Sequence, residues 1–501
     1  MSAPAAAAKP PAPLKGSALV LGTLSLSLAT FMNVLDSSIA NVSLPSISGD
    51  LGVSISQGTW VITSFGVANA ISVPLTGWLT QRFGAVRLFT LSVILFVIAS
   101  TLCGLAPSIE LLIAYRVLQG FVAGPMIPLS QTLLLSTYPP QKAGTALALW
   151  GVTTLVAPVA GPLLGGYITD NWTWPWIFYI NIPVGIFAAF VTWSIYHKRE
   201  TPILKRPIDG VGLAMLVLWV GCLQVMLDKG KELDWFHSPT IVTLAVIVVI
   251  AFAVFVAWEL TDEHPVVDIR LFAGRNFAFG AATLSIAYGL FFGNVVLLPL
   301  WLQQYMGYTA TSAGMALAPV GILAIVLTPM VGRNVAKWDP RWMATGAFIL
   351  FSLVLWMRSN FTSETDFGTI LLPTLIQGGA MAFFFIPLTT LTLAGLPPAR
   401  IPAAAGLSNF VRITMGAMGT SIATTLWDNR ATLHHTRLVE QMGLNGTALD
   451  GATTALNNAG VTGTGAYASI NRLIDVQAFT TAADDIFIAS AVTFLFLIFT
   501  I

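Results

Sequence analysis

Two ionisable residues, Asp36 and Arg116, lie within long apolar runs of this 501-residue sequence. A charge deep in a membrane-spanning helix costs roughly 2.5–3.5 kcal/mol on insertion scales, so such residues usually serve a function. If both runs are helices, the two residues share a depth and can form an ion pair. A carboxylate beside a guanidinium in a low dielectric can take up or release a proton when their separation changes. The pair therefore predicts proton coupling.

The same residues are compatible with two other roles. A static ion pair would hold two helices together, and a carboxylate near a helix end would simply face water. Polar side chains at helical spacing surround Asp36, namely Thr30, Asn33, Ser37 and Asn41. This stripe predicts either a cavity-facing side of the helix or hydrogen bonds to a neighbouring helix.

The composition excludes a soluble enzyme. Hydrophobic residues make up 55% of the chain and charged residues 9%, whereas a soluble domain carries about 25% charged residues. The apolar runs are continuous rather than alternating, which favours helices over a barrel. The fold class is therefore an all-α polytopic membrane protein.

Fourteen apolar runs are long enough to cross a bilayer. They cover residues 17–41, 57–80, 86–105, 110–136, 143–168, 174–196, 208–228, 238–260, 275–303, 312–335, 341–358, 366–394, 403–428 and 482–501. With the N-terminus in the cytoplasm, fifteen Lys and Arg residues fall on the inner side and six on the outer side. The positive-inside rule therefore predicts a cytoplasmic N-terminus.

The two halves of the chain resemble each other at an offset of 253 to 259 positions. Five short matches occur in the same order: Asn41–Pro45 with Asn294–Pro299, Pro74–Gly77 with Pro329–Gly332, Gln119–Gly120 with Gln377–Gly378, Ile127–Leu129 with Ile386–Leu388, and Pro139–Pro140 with Pro397–Pro398. A repeat in the same sense predicts two six-helix bundles related by an axis along the membrane normal. That architecture is typical of alternating-access carriers.

The repeat sets the predicted domain boundaries. A cytoplasmic segment covers 1–16, a six-helix bundle 17–196, an inserted helix pair with its flanking loops 197–265, and a second six-helix bundle 266–501. Within the second bundle, residues 429–480 form a polar periplasmic loop that either docks a partner or is a mobile linker.

The loop between the second and third spans combines glycines for a tight turn with cytoplasmic charges. Its candidate conformational residues are Gly77, Gln81, Arg82, Gly84 and Arg87. The stretch predicts either a charge latch that contacts helix ends in one state or an ordinary positive-inside loop.

The fifth span carries prolines and small residues, namely Pro158, Gly161, Pro162, Gly165 and Gly166. Small residues four positions apart allow close helix approach, and prolines bend a helix by removing backbone donors. The segment predicts a seal between the halves or simple tight packing. Gly120, beside Gln119, is a further candidate conformational residue.

The candidate substrate-binding residues are polar, cationic or aromatic side chains of the spans. They are Asn33, Gln119, Phe292, Met381, Phe384, Phe385 and Arg412. Arg412 either attracts anionic substrates from a cavity or extends to the cytoplasmic interface.

No nucleotide-binding loop, His/Cys ligand cluster or catalytic triad occurs in the sequence. We therefore expect no ATP, cofactor or metal, and no enzyme activity.

Taken together, these motifs resemble the major facilitator superfamily and, within it, the fourteen-span drug:proton antiporters. Arg116–Gly120 matches the span-four motif, Gly161–Gly166 matches the antiporter motif of span five, and Leu35–Pro45 is similar to the span-one motif of the drug group. Gly77–Arg87 resembles the superfamily loop motif but differs at Gln81, where the family usually carries Asp. Ser56–Ala70 and Leu227–Trp235 are similar to exporters of the EmrB/FarB type.

The resemblance implies a multidrug efflux pump of the bacterial inner membrane. It implies drug:proton antiport of hydrophobic toxic compounds, uncouplers or fatty acids, with proton coupling by Arg116. It also implies a tripartite system with a periplasmic adaptor of the EmrA type and an outer-membrane channel of the TolC type. The alternatives are a proton-coupled importer on the same fold, which the Gly161–Gly166 motif disfavours, and a membrane channel or sensor.

Overall fold

The computed structural model describes residues 12–139, 142–203, 209–335, 337–397, 400–444 and 446–501. These residues form α-helices with short connections, and no strand occurs among them. The long apolar runs explain this, because in lipid every backbone N–H and C=O must be bonded within its own helix.

The first predicted half contains the helices that carry Asp36 and Arg116. They are α1 (Gly16–Asp50), α2 (Ile55–Gly58), α3 (Trp60–Ser72), α4 (Thr76–Phe83), α5 (Ala85–Gly104), α6 (Ile109–Ala123), α7 (Met126–Thr137), α8 (Ala143–Asn171), α9 (Trp176–Tyr179) and α10 (Asn181–Tyr196).

The inserted pair consists of α11 (Gly210–Lys229) and α12 (Pro239–Thr261). The second predicted half contains α13 (Arg275–Gln304), α14 (Ala310–Leu317), α15 (Pro319–Asn334), α16 (Pro340–Arg358), α17 (Phe367–Leu393), α18 (Ile401–Leu444), α19 (Gly446–Asn458) and α20 (Thr464–Leu497).

Prolines mark the interruptions within spans. Pro74 lies between α3 and α4, which meet at a bend of 63°. Pro125 separates α6 from α7, and Pro319 begins α15. Proline lacks a backbone N–H and clashes with the preceding turn, so a helix bends or restarts there.

Eleven helices in the described part of the chain are long and apolar enough to cross a membrane, and the bent pair of α3 and α4 makes twelve. The chain is therefore a multi-pass membrane protein. The two remaining predicted spans fall on α8, which has 29 residues, and on the first part of α18. The span in α18 contains Asn409 and Arg412, which lower its apolarity. The count of fourteen stays a prediction.

The inserted pair packs against the first half through polar contacts near one end of α11. The Asp228 carboxylate accepts a hydrogen bond from the hydroxyl of Thr63 on α3. Lys229 donates to the hydroxyl of Thr59 at 2.7 Å. Much of α12 is exposed and apolar, as expected of a helix that faces lipid.

Two compact units make up the structure. The first comprises Met1–Ala281, Ile325–Met343 and Phe385–Val411, and the second Ala282–Ala324, Ala344–Phe384 and Arg412–Ile501. The predicted domain boundaries at 16, 196 and 265 follow the sequence repeat and remain predictions.

The stretch 429–480 is helical over most of its described residues instead of being an irregular loop. The helix α18 continues to Leu444, α19 covers Gly446–Asn458, and α20 begins at Thr464. Side chains join the two long helices: His434 lies 2.9 Å from the Asp485 carboxylate, and His435 lies 3.1 Å from the Asn471 side chain. These contacts explain why a polar segment of this composition is ordered.

Candidate functional site: a buried ion pair in the first helix bundle

The centre of the candidate site is an ion pair between Asp36 on α1 and Arg116 on α6. Nη1 of Arg116 lies 2.5 Å from Oδ2 of Asp36, and both side chains are fully shielded from solvent. Nε of Arg116 donates to the carbonyl of Val61 on α3 at 3.0 Å. The guanidinium therefore joins α1, α3 and α6.

Two amides complete the contacts of the Asp36 carboxylate. Nε2 of Gln119 and Nδ2 of Asn181 each donate to Oδ1 at 2.9 Å. The oxygen of the Gln119 amide accepts from Nη1 of Arg116 at 2.8 Å, so this side chain bonds both members of the ion pair. Asn181 also donates to the hydroxyl of Ser100 at 2.9 Å.

Asn181 was not among the sequence candidates. It begins α10, a helix that otherwise reads as a plain apolar span. The available signal in the sequence was an amide within the apolar run 174–196, since a buried amide needs a polar partner.

Aromatic rings cover the guanidinium of Arg116. Its central carbon lies 4.2 Å from the ring centroid of Phe65 and 5.6 Å from that of Phe178. Cation–π attraction is stronger where water is excluded. Nη2 of Arg116 has no hydrogen-bond partner in the described part of the chain.

One charged and two neutral donors surround the Asp36 carboxylate. Loss of the Asp36 carboxylate would leave Arg116 as an unbalanced buried charge, which is strongly destabilising.

Asn33 lies near Asp36 in the chain but does not join the ion-pair network. Its Nδ2 donates to the carbonyl of Ala123 at 3.0 Å, and the residue is buried. Thr30 donates to the hydroxyl of Ser130 at 2.7 Å. These two members of the predicted polar stripe hold α1 against the elements around α6 and α7, in agreement with the helix–helix alternative.

The candidates of the second half lie among aromatic rings. The guanidinium carbon of Arg412 lies 4.4 Å from the ring centroid of Tyr288, and Phe292 lies 4.5 Å from the same ring. Met381 and Phe384 are buried, and Phe384 contacts Phe351 with ring centroids 5.7 Å apart. These residues belong to the second compact unit.

Phe385 belongs to the first compact unit, where it contacts Trp150 with centroids 5.5 Å apart. Trp150 donates to the hydroxyl of Ser130 at 2.9 Å, and both residues are buried. Phe385 is therefore part of a mixed aromatic and polar contact with Trp150 and Ser130.

The predicted loop Gly77–Arg87 is helical, in α4 and α5, except for a tight turn at Gly84, whose φ is +87°. Only glycine adopts such a value without strain. The Glu200 carboxylate, which follows α10, accepts from the backbone N–H groups of Val86 and Arg87 at 2.9 Å each. A side chain at Gly84 would collide with that carboxylate. Gln81 is half-buried, whereas Arg82 and Arg87 are exposed.

The glycines of the fifth span face α1. A Cβ at Gly161 would collide with the Ser38 hydroxyl, and one at Gly165 would lie 3.0 Å from the backbone oxygen of Ile39. A Cβ at Gly166 would only touch Val42 at 4.0 Å. Pro158 and Pro162 lie within the same helix, α8, which runs on without a break. Close packing of α8 on α1 therefore depends on Gly161 and Gly165.

Two further glycines, Gly120 and Gly378, make equivalent close contacts in the two halves of the sequence repeat. A Cβ at Gly120 would collide with the backbone oxygen of Phe65, and one at Gly378 would collide with that of Val320. Both glycines follow the repeated glutamine, and Val320 is the repeat counterpart of Phe65. Gly77 packs on Ala403, where an added Cβ would lie 2.9 Å from that side chain.

Comparison with known proteins agrees with this architecture. Residues 26–420 match the model of the Major Facilitator Superfamily. The chain belongs to the Major Facilitator Superfamily. It is 52% identical over 487 residues to the multidrug export protein EmrB of Escherichia coli K12, covering 97% of this chain and 95% of that protein. It is 48% identical over 486 residues to the fatty acid resistance protein FarB of Neisseria gonorrhoeae, covering 97% and 96%.

Solved structures resemble the fold at low sequence identity. The human organic anion transporter MFSD10 superposes with a TM-score of 0.58 and 15% identity, covering 97% of this chain and all of that one. A bacterial homologue of the human lysosomal transporter Spinster superposes with a TM-score of 0.54 and 15% identity, covering 97% and 98%. These likenesses concern the fold alone.

Proposed function

We propose that the protein exports hydrophobic toxic compounds from bacteria by drug:proton antiport. The observation that carries this proposal is the fully buried ion pair of Asp36 and Arg116. The chain that holds this pair is 52% identical to a multidrug export protein. A second relative is named for fatty acid resistance, so drugs, uncouplers and fatty acids are the proposed substrates.

Asp36 is the proposed proton site and Arg116 its partner. In the present conformation the carboxylate is bound by Arg116, Gln119 and Asn181. A conformational change that separates α1 from α6 would weaken these contacts and let a proton bind. Proton binding and helix arrangement are then linked, because each state of the carboxyl stabilises one arrangement.

The energy available is sufficient for efflux. One proton that moves down a potential of 100 mV releases roughly 2.3 kcal/mol. At about 1.4 kcal/mol per factor of ten, this supports a drug gradient of roughly fifty-fold.

The proposed location is the inner membrane of a Gram-negative bacterium, with the N-terminus in the cytoplasm. The proposed partners are a periplasmic adaptor of the EmrA type and an outer-membrane channel of the TolC type. Support comes from the uneven distribution of Lys and Arg and from the 52% identity to EmrB. Import is not favoured, since relatives at 52% and 48% identity are named for export or resistance.

Transport by the purified protein in proteoliposomes tests the proposal. An imposed proton gradient should drive a fluorescent hydrophobic drug in the direction opposite to the protons. Asp36→Asn should abolish this movement while the protein remains folded by its thermal unfolding. Glu440→Gln removes an exposed carboxylate and serves as the matched control. Normal pumping by Asp36→Asn would refute the assignment of the proton site.

A further inference from the structure

Arg358, one of three buried arginines among the described residues, lies at the end of α16 in the second half of the chain. It is 1% exposed. Its Nη2 donates to Oε1 of Gln377 at 2.6 Å and to the hydroxyl of Thr374 at 3.4 Å. Its Nε has no hydrogen-bond partner, and no carboxylate of the described residues forms an ion pair with it. A buried cation without a counter-charge is unfavourable unless something else balances it.

The sequence repeat shows what is missing around Arg358. Gln377 is the counterpart of Gln119, and Thr374 is the counterpart of Arg116. Position 358 corresponds to the segment 100–103 of α5, which contacts the first-half network through Ser100 and Cys103. The second half thus keeps the glutamine and a guanidinium, although the arginine comes from the neighbouring helix.

The acid of the first half has no counterpart in the second. The repeat places Gly289 at the position of Asp36. A Cβ at Gly289 would lie 2.6 Å from the backbone oxygen of Met415, so α13 packs directly on α18 there. No side chain can enter from this position in the present conformation. An anionic ligand would supply the negative charge that Arg358 lacks among the described residues.

Aromatic rings lie on the same face of α16 as Arg358. Phe351 is two helical turns away and contacts Phe291, Phe384 and Phe494, with ring centroids 4.9 to 6.0 Å apart. Phe291 in turn contacts Phe292, which is only partly buried. Phe351, Phe384 and Phe494 are buried against one another, so the apolar group of a ligand would meet this cluster at the partly exposed ring of Phe292.

We propose that Arg358, with Thr374 and Gln377, binds the anionic head group of hydrophobic carboxylate substrates. The carboxylate supplies the charge that Asp36 supplies to Arg116 in the first half, and it accepts from Nε of Arg358. The partly exposed ring of Phe292, at the edge of the aromatic cluster, contacts the apolar part of the same molecule. This inference rests on the proposed export function and assigns a substrate class and its site.

Binding of two ligands of equal chain length tests the inference on the purified full chain. Dodecanoate carries the carboxylate and dodecanamide does not. Arg358→Gln should weaken dodecanoate binding by about tenfold or more, because a charge-assisted contact is lost. The ratio of dodecanoate to dodecanamide affinity should fall with it. Arg341→Gln removes an exposed arginine from the other end of α16 and should leave the ratio unchanged.

Gln377→Glu is an independent second variant. It places a carboxylate within hydrogen-bond distance of Nη2 and balances Arg358 from within the chain. It should lower the ratio of dodecanoate to dodecanamide affinity without leaving an unpaired buried charge. It therefore tests the proposed site even if Arg358→Gln fails to fold. An unchanged affinity ratio in a folded variant, or an equal fall in affinity for both ligands, would refute the proposed site. Because binding needs no proton gradient, this result is separate from success or failure of transport in proteoliposomes.

Discussion

Asn181 donates its amide hydrogen to Oδ1 of Asp36 at 2.9 Å from a helix that holds neither member of the ion pair. The same Nδ2 reaches the hydroxyl of Ser100 on α5. One amide therefore ties α10 and α5 to the carboxylate on α1. Loss of this donor would leave part of the carboxylate unsatisfied in a dry environment.

Asn181→Ala is predicted to lower the free energy of unfolding by about 1–3 kcal/mol, the range for an unsatisfied buried polar partner. Thermal unfolding in detergent, followed by tryptophan fluorescence, measures the effect. Asn171→Ala is the control, because Asn171 is exposed and bonds only within its own helix. If both variants unfold at the wild-type temperature, the Asn181 contact does not contribute to stability.

A double-mutant cycle tests the energetic link between Asp36 and Arg116. Removing one partner of a buried pair typically costs about 3–5 kcal/mol, whereas replacing both by neutral groups is often tolerated. We predict that Asp36→Asn/Arg116→Gln unfolds at a higher temperature than Arg116→Gln alone. Effects that simply add would show that the two side chains are not coupled. Transport should be absent in every variant of the cycle that lacks Asp36.

The ion pair was predictable from sequence because charges are rare in apolar runs, and the two charges share a depth. Of the two amides around it, Gln119 was a candidate from the sequence and Asn181 was not. Gln119 follows Arg116 by three positions and so lies on the same helix face, whereas Asn181 reaches Asp36 only through the packing of α10 on α1. Periodicity within one helix cannot specify which face of another helix it meets.

The sequence pattern also could not predict helix boundaries outside the apolar runs. The segment after residue 428 is polar and rich in Gly, Ala, Thr and Asn, which is typical of a loop. The structure continues α18 to Leu444, since His434 and His435 find partners on α20. Such contacts between distant residues decide secondary structure where local composition is ambiguous.

Adjacent glycines in α8 allow a test of the close approach to α1. Gly165→Ala would force the backbone oxygen and side chain of Ile39 away, because the new Cβ would lie 3.0 and 2.9 Å from them. We predict that it lowers the unfolding temperature and the transport rate, since Ile39 lies one helical turn from Asp36. Gly166→Ala adds the same methyl group where the nearest atom is 4.0 Å away and should behave like the wild type. Equal behaviour of the two variants would contradict the tight contact between α8 and α1.

Glu200 is predicted to stabilise the start of α5 from outside that helix. Its carboxylate accepts from the N–H groups of Val86 and Arg87, while the hydroxyl of Thr201 accepts from that of Ala85 at 2.9 Å. These N–H groups have no partner within the helix, and a negative charge near a helix N-terminus is favourable. Glu200→Ala should therefore cost about 1 kcal/mol, the usual value for a lost N-cap.

Hydrogen exchange localises this effect. In Glu200→Ala, amides in the first turn of α5 should exchange about five-fold faster, because about 1 kcal/mol corresponds to that factor. Glu263→Ala removes an exposed carboxylate from another loop and should leave the exchange of α5 unchanged. Since Glu200 follows α10, whose first residue binds Asp36, the same contact also links the turn at Gly84 to the helix that completes the ion-pair network. Unaltered exchange in Glu200→Ala would show that the α5 terminus is held by Thr201 and the turn alone.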